Sequence, residues 1–251
     1  MPDVTAVEPA PAPARRTGDC LVVEGLKAGY NKRAVVFDAS LRVGEGEIVT
    51  VVGHNGSGKS TALRSICGLL RPLGGKVSYR GRDVSHVGCA QKVGLGISFI
   101  PSERFTFGQL SVQDNLRLGG LHVKSAAERE ESLASVFEMF PVLRSRSRQM
   151  AGTMSGGEQR MLSLGIALMS RPKLLLLDEP SLGLAPAVVQ RIMDLVKELA
   201  ERDGLSVLLV EQNVAQGLRI ADRVYVMRGG HIIVEETAEK MRQRGQLWDL
   251  F

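Results

Sequence analysis

The apolar residues of this chain fall into short continuous runs, separated by longer segments in which they recur every three or four positions. The runs Glu47–Val52, Lys173–Asp178 and Ser206–Val210 have the length and the leucine- or valine-rich composition of buried strands. Ile97–Ile100 is a shorter apolar run, ended by Pro101. We therefore predict a strand at each of these four places.

Segments with a helical period lie between the runs. Glu128–Phe140 has apolar residues at i, i+3, i+4 and i+7, which predicts an amphipathic helix built on Leu133, Val136, Phe137 and Phe140. Pro141 is expected to stop this helix, and the basic and polar residues 144–149 predict a loop. Three more helices are predicted at 61–68, 156–170 and 186–204, the last with an inner stripe of Val188, Ile192, Leu195 and Leu199.

The two ends of the chain have a different pattern. Leu21–Leu26 and Ala34–Leu41 alternate enough to predict antiparallel strands, with Tyr30 on a loop between them. Residues 75–81 predict a short strand and turn. Arg223–Met227 and His231–Glu235, joined by two glycines, predict a hairpin, and a short helix is expected to end the chain.

Strands that alternate with helices predict an α/β fold with a mostly parallel sheet. The stretch from about 103 to 170 is largely helical in pattern and predicts a subdomain set into this α/β core. Residues 1–18 contain four prolines and several alanines, which predicts a disordered tail. We thus expect a single domain over 19–251, preceded by the tail, and without internal repeats.

The composition is that of an ordinary globular protein. The chain has 251 residues, 44% of them hydrophobic, which suits one large α/β domain or two small ones. No run approaches the roughly 20 apolar residues of a membrane-spanning helix, and the start lacks the features of a secretory signal. Cys20, Cys67 and Cys89 show no metal-ligand spacing and predict reduced thiols of a cytosolic protein. The net charge of +5 is spread out, which favours a solvated surface over a nucleic-acid or membrane site.

Gly53–Ser60 has the sequence GHNGSGKS and matches the phosphate-loop pattern G-x-x-x-x-G-K-[ST], between a predicted strand and a predicted helix. Glycines let backbone N–H groups approach a triphosphate, and the helix that follows directs its positive end at the same phosphates. Lys59 is expected to reach the β- and γ-phosphates, and the Ser60 hydroxyl to bind Mg²⁺. The sequence therefore predicts a nucleotide-binding site.

Asp178 and Glu179 follow a run of four leucines at the end of a predicted strand. In phosphate-loop ATPases such a strand delivers an acidic residue to Mg²⁺, a role that we assign to Asp178, acting through water. Glu179 lies where the strand gives way to a turn and is expected to polarise the attacking water as a general base. A strand that ends in a solvated acidic turn is the alternative, but the phosphate loop favours the metal site.

Ser155, Gly156, Gly157 and Glu158 combine a helix cap with two glycines. Ser-x-x-Glu is a capping box, which by itself predicts only the start of a helix. A cap does not need two glycines, which leave bare N–H groups at the helix N terminus and make an anion site. Because the phosphate loop already provides one such site per nucleotide, we expect this second site to hold a phosphate bound to another subunit.

These three elements, in this order, resemble the ATP-binding-cassette (ABC) family over nearly all of Leu21–Glu235. Gly53–Ser60 matches the Walker A motif, Ser155–Gln159 the signature and Leu174–Glu179 the Walker B motif. The resemblance implies a P-loop NTPase core, ATP and Mg²⁺ as cofactors, and a head-to-tail dimer with ATP between Walker A of one subunit and the signature of the other. It implies that an aromatic residue, Tyr30, stacks on adenine. The residues expected to contact ATP are thus Tyr30, Gly53, His54, Asn55, Gly56, Ser57, Gly58, Lys59, Ser60, Thr61, Ser155, Gly156, Gly157 and Glu158.

A narrower group, the LivF-type ATPase subunits of bacterial branched-chain amino-acid uptake, resembles this chain at Ala151–Gln159, Asp178–Pro186 and Leu209–Asn213. This resemblance implies several partners: a second ATPase subunit, two membrane permeases and, indirectly, an extracytoplasmic solute-binding protein, but no nucleic acid. It also implies a peripheral position on the cytoplasmic face of the bacterial inner membrane. Relatives with similar motifs take up urea and short amides, so both kinds of solute stay open.

Three positions depart from the general ABC pattern. Where general members carry a glutamine that contacts Mg²⁺, this chain has Ser102, which we assign to the metal site with Ser60 and Asp178. Where they carry a histidine against the γ-phosphate, it has Gln212, as in the LivF type; an amide donates a hydrogen bond but has no charge. An aspartate after Walker B is replaced by Ala185. The expected catalytic residues are Glu179, Lys59 and Gln212.

Two other functions compete with an ATPase that drives solute import. Soluble ABC proteins of DNA repair or translation usually carry a long coiled coil, zinc-binding cysteines or a second cassette, and this sequence has none of these. The other possibility is a non-catalytic, ATP-binding subunit paired with an active one. Glu179 argues against that possibility, whereas Gln212 leaves it open.

Overall fold

The structure is a computed structural model that describes residues 18–103 and 105–244. Apart from Gly18, the predicted tail lies outside the described residues. Ten strands run through the described part: β1 Asp19–Tyr30, β2 Arg33–Gly44, β3 Ile48–Val52, β4 Gly74–Tyr79, β5 Arg82–Asp83, β6 Ile97–Ile100, β7 Leu174–Asp178, β8 Ser206–Glu211, β9 Arg223–Arg228 and β10 His231–Thr237. It also contains nine α-helices: α1 Lys59–Ile66, α2 Cys89–Gly94, α3 Val112–Gly119, α4 Ala126–Met139, α5 Pro141–Ser145, α6 Gly156–Leu168, α7 Pro186–Asp203, α8 Val214–Ile220 and α9 Ala238–Gln243.

The central sheet has six strands in the order β10-β9-β3-β8-β7-β6. Every neighbouring pair from β9 to β6 is parallel, whereas β9 and β10 form the predicted antiparallel hairpin. The register places Val52 opposite Glu211 and Asp178 opposite Val210. The prediction of a mostly parallel sheet is confirmed, and the motifs that follow β3, β7 and β8 therefore meet at its carboxyl edge.

A second sheet of four antiparallel strands, in the order β2-β1-β4-β5, contains the predicted N-terminal strands. Both β1 and β2 have 12 residues and extend well beyond the predicted segments. The prediction that Tyr30 lies on a loop is wrong, because it is the last residue of β1 and pairs with Arg33. A two-residue turn is sufficient because Asn31 and Lys32 both adopt positive φ, 50° and 63°, which suits a tight hairpin.

The helical insert between β6 and β7 contains α3 to α6 and a 3₁₀ turn at Ala151–Thr153, which confirms the predicted subdomain. The helix predicted from Glu128 begins two residues earlier, because Ser125 caps it by accepting a hydrogen bond from Glu128 N. Pro141 ends that helix but also opens α5, so the prediction of a loop at 144–149 is wrong for residues 144 and 145.

Two hydrophobic clusters cover the two faces of the central sheet. One joins the insert helices and α7 to the sheet, and the other joins α1 and the antiparallel strands to it. The four leucines of β7 alternate between them: Leu175 and Leu177 face the first cluster, Leu174 and Leu176 the second. β7 is thus held from both sides, and the carboxylates at its end have a rigid support.

Three short helices have no counterpart in the predictions, namely α2, α5 and α8. Each spans fewer than two turns, which is too short for a helical period to appear in the sequence. In the part of the chain that the structure describes, no helix combines the length and the apolar character needed to cross a bilayer. The three cysteines are free thiols.

Candidate functional site

The phosphate loop connects β3 to α1 as predicted. Gly53 follows the buried Val52, and a Cβ there would lie 2.2 Å from the carbonyl oxygen of Met227, so a side chain cannot be accommodated. Gly56 and Gly58 have φ of 80° and 105°, a conformation that favours glycine. The loop backbone therefore packs directly against β9. The glycines are needed both for this close contact between backbones and for the positive φ angles of the loop.

Lys59 extends from the first turn of α1 back over the loop. Its Nζ donates to the carbonyl oxygens of Gly53, at 2.8 Å, and His54, at 3.1 Å. The same ammonium lies 3.5 Å from Oε1 of Glu179, and its side chain is 3% exposed. Burial lowers the pKa of Lys59, whereas the Glu179 carboxylate opposes this shift. The loop and the proposed base thus share one buried cation.

Ser60 and Asp178 meet at the start of α1. Ser60 Oγ donates a 2.8 Å hydrogen bond to Asp178 Oδ1. Asp178 is fully buried, and no donor among the described residues reaches its Oδ2. Burial raises the pKa of this carboxyl group. A buried carboxylate oxygen without a partner, beside a hydroxyl, fits the oxygen ligands that Mg²⁺ prefers.

Glu179 lies directly after β7, in the left-handed region with φ 43°. Its backbone N–H donates to Val210 O at 2.9 Å, which fixes the start of the turn against β8. Glu179, Gln212 and the first two residues of the phosphate loop, Gly53 and His54, line one cavity of about 830 Å³. The structure therefore brings the three expected catalytic residues, Lys59 included, to one place.

Arg160 and Glu211 are buried at this site, although the sequence analysis gave neither a role. The Arg160 guanidinium donates to the carbonyl oxygens of Pro101 and Asp178 and so ties α6 to the ends of β6 and β7. The Glu211 carboxylate accepts hydrogen bonds from the turn after Glu179. A sequence signal existed for both: a charge two residues after a capping box, and an acid that ends an apolar strand.

The signature residues form the predicted capping box. Ser155 Oγ accepts from Glu158 N at 3.3 Å, and Glu158 Oε2 accepts from Ser155 N at 2.9 Å. A Cβ on Gly157 would lie 3.2 Å from both methyl groups of Val188, so this glycine also serves the packing of α6 on α7. Gly156 lines a separate cavity of about 270 Å³. Binding of a partner's phosphate by these residues stays a prediction.

Among the described residues, Ser102 makes no hydrogen bond to Ser60 or Asp178. It follows β6 and lines the same small cavity as Gly156 and Arg160. A role for Ser102 in metal binding stays a prediction. Its neighbour Glu103 forms an ion pair at 3.1 Å with a residue of α1.

Tyr30 lies at the rim of a wide groove. It is 44% exposed and interacts through its side chain with Arg64, which also pairs with Glu103. Among the other predicted ATP contacts, Ser57 and Thr61 are buried, whereas His54, Asn55 and Gly56 are exposed on the loop. Exposed amide groups beside a buried cation suit a bound triphosphate, and stacking of Tyr30 on adenine stays a prediction.

A parallel sheet with a glycine-rich phosphate loop, a buried lysine and a strand-end aspartate defines a nucleoside triphosphatase of the phosphate-loop class. Comparison with known proteins narrows this class. The family model described as ABC transporter matches residues 36–182. The chain therefore belongs to the ABC transporter family.

Individual proteins that are similar to this chain belong to the same class. The high-affinity branched-chain amino acid transport ATP-binding protein BraG of Pseudomonas aeruginosa is 42% identical over 222 residues, which cover 88% of this chain and 94% of that protein. The probable LivF protein of Archaeoglobus fulgidus is 35% identical and covers 86% of this chain and 91% of its own length. A nucleotide-free ATP-binding cassette of an ABC transporter superposes with a TM-score of 0.80 at 25% identity, over 92% of this chain and 98% of that one.

Proposed function

We propose that this chain hydrolyses ATP to drive the import of branched-chain amino acids. The single observation that carries this choice of solute is the similarity to BraG over nearly the whole of that protein. The test is uptake of labelled leucine, isoleucine and valine by a host that lacks the gene, complemented with the wild-type chain or with Lys59→Ala.

We expect the wild-type chain to restore leucine uptake and the Lys59→Ala variant not to restore it. Uptake of labelled urea and acetamide is measured in the same strains, because these are the solutes of the alternative system. If the wild-type gene restores uptake of urea or acetamide and leaves leucine uptake at the level of the deletion, the amino-acid proposal is overturned.

In the proposed site, the backbone N–H groups of Gly53–Gly58 and the ammonium of Lys59 hold the triphosphate. Ser60 and Asp178 hold Mg²⁺, an assignment supported by Asp178 Oδ2, which has no hydrogen-bond partner among the described residues. When bound, Mg²⁺ supplies positive charge that neutralises the phosphate oxygens. Ser102 is a further candidate ligand, on the ground of its position after β6.

Glu179 acts as the general base in this proposal. Lys59 is shared between the loop carbonyl oxygens and the Glu179 carboxylate. A triphosphate that binds Lys59 competes with all of these partners, so its arrival loosens the hold of Lys59 on Glu179. The freed carboxylate then accepts a proton from the attacking water. Lys59 thereby couples occupation of the site to availability of the base.

Gln212 stands beside Glu179 in the same cavity. Its amide is a donor of one hydrogen bond to a γ-phosphate oxygen, without the charge that a protonated histidine adds. We assign it the task of sensing the γ-phosphate. Glu179 and Gln212 follow adjacent parallel strands, so a single phosphate is within reach of both.

The signature is proposed to act on ATP held by the second ATPase subunit. On this chain, Gly156 and the phosphate loop line different cavities, so the two anion sites do not form one site within a single subunit. A head-to-tail dimer brings the loop of one subunit against the bare N–H groups of the other. ATP then binds between subunits and links them.

Tyr30 lies at the rim of a wide groove. We propose this groove as the docking site for a permease subunit. It has a volume of about 740 Å³, and residues of the helical insert and of β6 line it. Phe105, Phe107 and Leu121 stand at its border with exposures of 47%, 53% and 71%. A patch of this kind favours an apolar partner. Docking there places the chain at the cytoplasmic face of the inner membrane, with the solute-binding protein reached through the permeases.

A non-catalytic, ATP-binding role remains the second candidate, and Gln212 is the observation that favours it. The complex is assayed with Glu179→Gln in this subunit alone. If the ATP turnover of the complex falls by half or more, this chain's own site hydrolyses ATP. Unchanged turnover supports the non-catalytic role.

A further inference from the structure

A buried carboxylate, Glu211, lies at the centre of the site and has no role in the assignments above. Glu211 is the last residue of β8, immediately before Gln212, and only 1% exposed. A charge buried this deeply is unfavourable unless hydrogen bonds satisfy its oxygens. The partners of this carboxylate therefore show what the buried charge does.

Both oxygens of Glu211 bind the turn that follows Glu179. Oε1 accepts from the backbone N–H of Ser181 at 3.0 Å, and Oε2 accepts from Ser181 Oγ at 2.8 Å. The carboxylate also interacts with the backbone N–H of Asn213. One side chain thus joins the segment that carries Glu179 to the segment that carries Gln212.

The turn after β7 needs such support. Glu179 adopts a φ of 43°, which is unfavourable for a residue with a side chain. Its N–H is fixed by Val210 O at 2.9 Å, and two residues later Ser181 is fixed by Glu211. The end of β8 therefore holds the turn on both sides of the Glu179 side chain.

The chemistry of the contacts explains why a carboxylate stands here. Ser181 and Asn213 present donors, and an ionised carboxylate only accepts, whereas an amide would turn one donor group towards them. Arg160 and Lys59 lie close enough to interact favourably with the charge, and Glu179 interacts with it unfavourably. The two cations make a buried anion tolerable at this point.

We propose that Glu211 is a positioning residue for ATP hydrolysis, which holds Glu179 and Gln212 in a fixed relative position so that both face the same γ-phosphate. Glu211 acts through Ser181 and Asn213 and does not touch the nucleotide. The proposal rests on the assignment of Glu179 as the base, made under the proposed function.

The test measures kcat, KM and the dissociation constant of a fluorescent ATP analogue for the full chain in the complex that copurifies with it. Glu211→Ala is expected to lower kcat by about 10–100-fold, since misplacement of a catalytic group by about 1 Å can have an effect of that size. The dissociation constant is expected to stay within about twofold, because the phosphate loop is untouched. Glu211→Gln, which keeps one acceptor and the shape, is expected to recover part of kcat.

Ser181→Ala supplies a second variant. Its loss of kcat is expected to be smaller than that of Glu211→Ala, and the double variant is expected to be no slower than Glu211→Ala alone, since the two residues act as one unit. Glu47→Gln is the matched control: this carboxylate binds Gly44 N and Arg223 at the start of β3, at the opposite edge of the sheet. Its removal is expected to lower the melting temperature and leave kcat unchanged.

Equal changes in kcat and in ATP affinity for Glu211→Ala would overturn the proposal, and so would additive losses in the double variant. Glu179→Gln is assayed in parallel to separate the two assignments. If that variant hydrolyses ATP normally, the assignment of the base fails. If it is inactive while Glu211→Ala and Glu211→Gln turn over normally, the role of Glu211 alone fails.

Discussion

The hydroxyl of Ser60 donates a 2.8 Å hydrogen bond to Asp178 across 118 positions of sequence, and thereby joins the helix of the phosphate loop to the end of β7. The other oxygen of Asp178 is buried without a donor in the described part of the chain. The pair supports the proposed Mg²⁺ site, and the first prediction concerns it.

Ser60→Ala should weaken Mg²⁺ binding more than it weakens folding. Loss of one oxygen ligand is expected to raise the Mg²⁺ concentration for half-maximal ATPase activity by about tenfold, equivalent to ~1.4 kcal/mol. A Mg²⁺ titration of the complex at saturating ATP measures this shift.

Ser65→Ala in the same helix is the matched control for Ser60→Ala. Among the described residues no partner binds the buried Ser65 Oγ, so its removal should leave the Mg²⁺ dependence unchanged and stability equal or higher. Identical Mg²⁺ curves for Ser60→Ala and the wild type would contradict the metal site.

Lys59→Ala should abolish productive use of ATP. The buried ammonium of Lys59 makes the charge-assisted contacts in the loop, and loss of one such contact to phosphate costs about 1.5–3 kcal/mol. ATP hydrolysis by the complex and binding of an ATP analogue are the measurements. Lys197→Ala, which removes an exposed partner of Glu201 on α7, is the control and should behave as wild type. Wild-type hydrolysis by Lys59→Ala would refute the Walker A assignment.

Gln212→His should leave hydrolysis intact or raise it. General ABC members carry histidine at this place, and a histidine adds charge near the γ-phosphate. Turnover of the complex at saturating ATP is the measurement. A large fall in turnover would show that Gln212 has a specialised role in this subunit and is not simply a weaker substitute for histidine.

Glu179→Gln should trap ATP between subunits. The change keeps shape and hydrogen bonding but removes the base, which contributes about 10²–10⁴-fold in rate, while binding depends mainly on the loop and Mg²⁺. Size-exclusion chromatography of the variant with its partner ATPase should show association with ATP–Mg²⁺ and not with ADP–Mg²⁺. Association that is the same with ATP and with ADP, or normal hydrolysis by the variant, would contradict the proposal that ATP binds between the two subunits.

Gly68→Ala should destabilise the fold, whereas Gly94→Ala should not. Gly68 ends α1 with φ 86°, and a Cβ there would lie 2.5 Å from Val87 O, whereas Gly94 has open space around it. We expect a loss of at least about 1 kcal/mol for Gly68→Ala and a gain of up to about 1 kcal/mol for Gly94→Ala. Thermal unfolding measures both, and a melting temperature for Gly68→Ala at or above the wild-type value would contradict the geometry.

Local patterns predicted the parts of the fold whose signal is contained in a few consecutive residues. The buried strands β3, β6, β7 and β8 were visible as apolar runs, and the phosphate loop as a glycine pattern between a strand and a helix. Short helices such as α2 and α8 were missed because fewer than two turns carry no readable period. The two-residue turn of Asn31 and Lys32 was missed because neither residue is glycine, although both adopt positive φ.

The sequence alone was enough to predict the chemistry of the separate motifs, because glycine, lysine, serine and carboxylate residues have few uses in those patterns. It did not contain their mutual positions. Those depend on the register of parallel strands, which places the ends of β3, β7 and β8 at one edge and so joins Lys59 to Glu179 and Ser60 to Asp178. The hydrogen bonds of Glu211 arise from the same register, since residues far apart in sequence acquire partners only when packing brings their strands together.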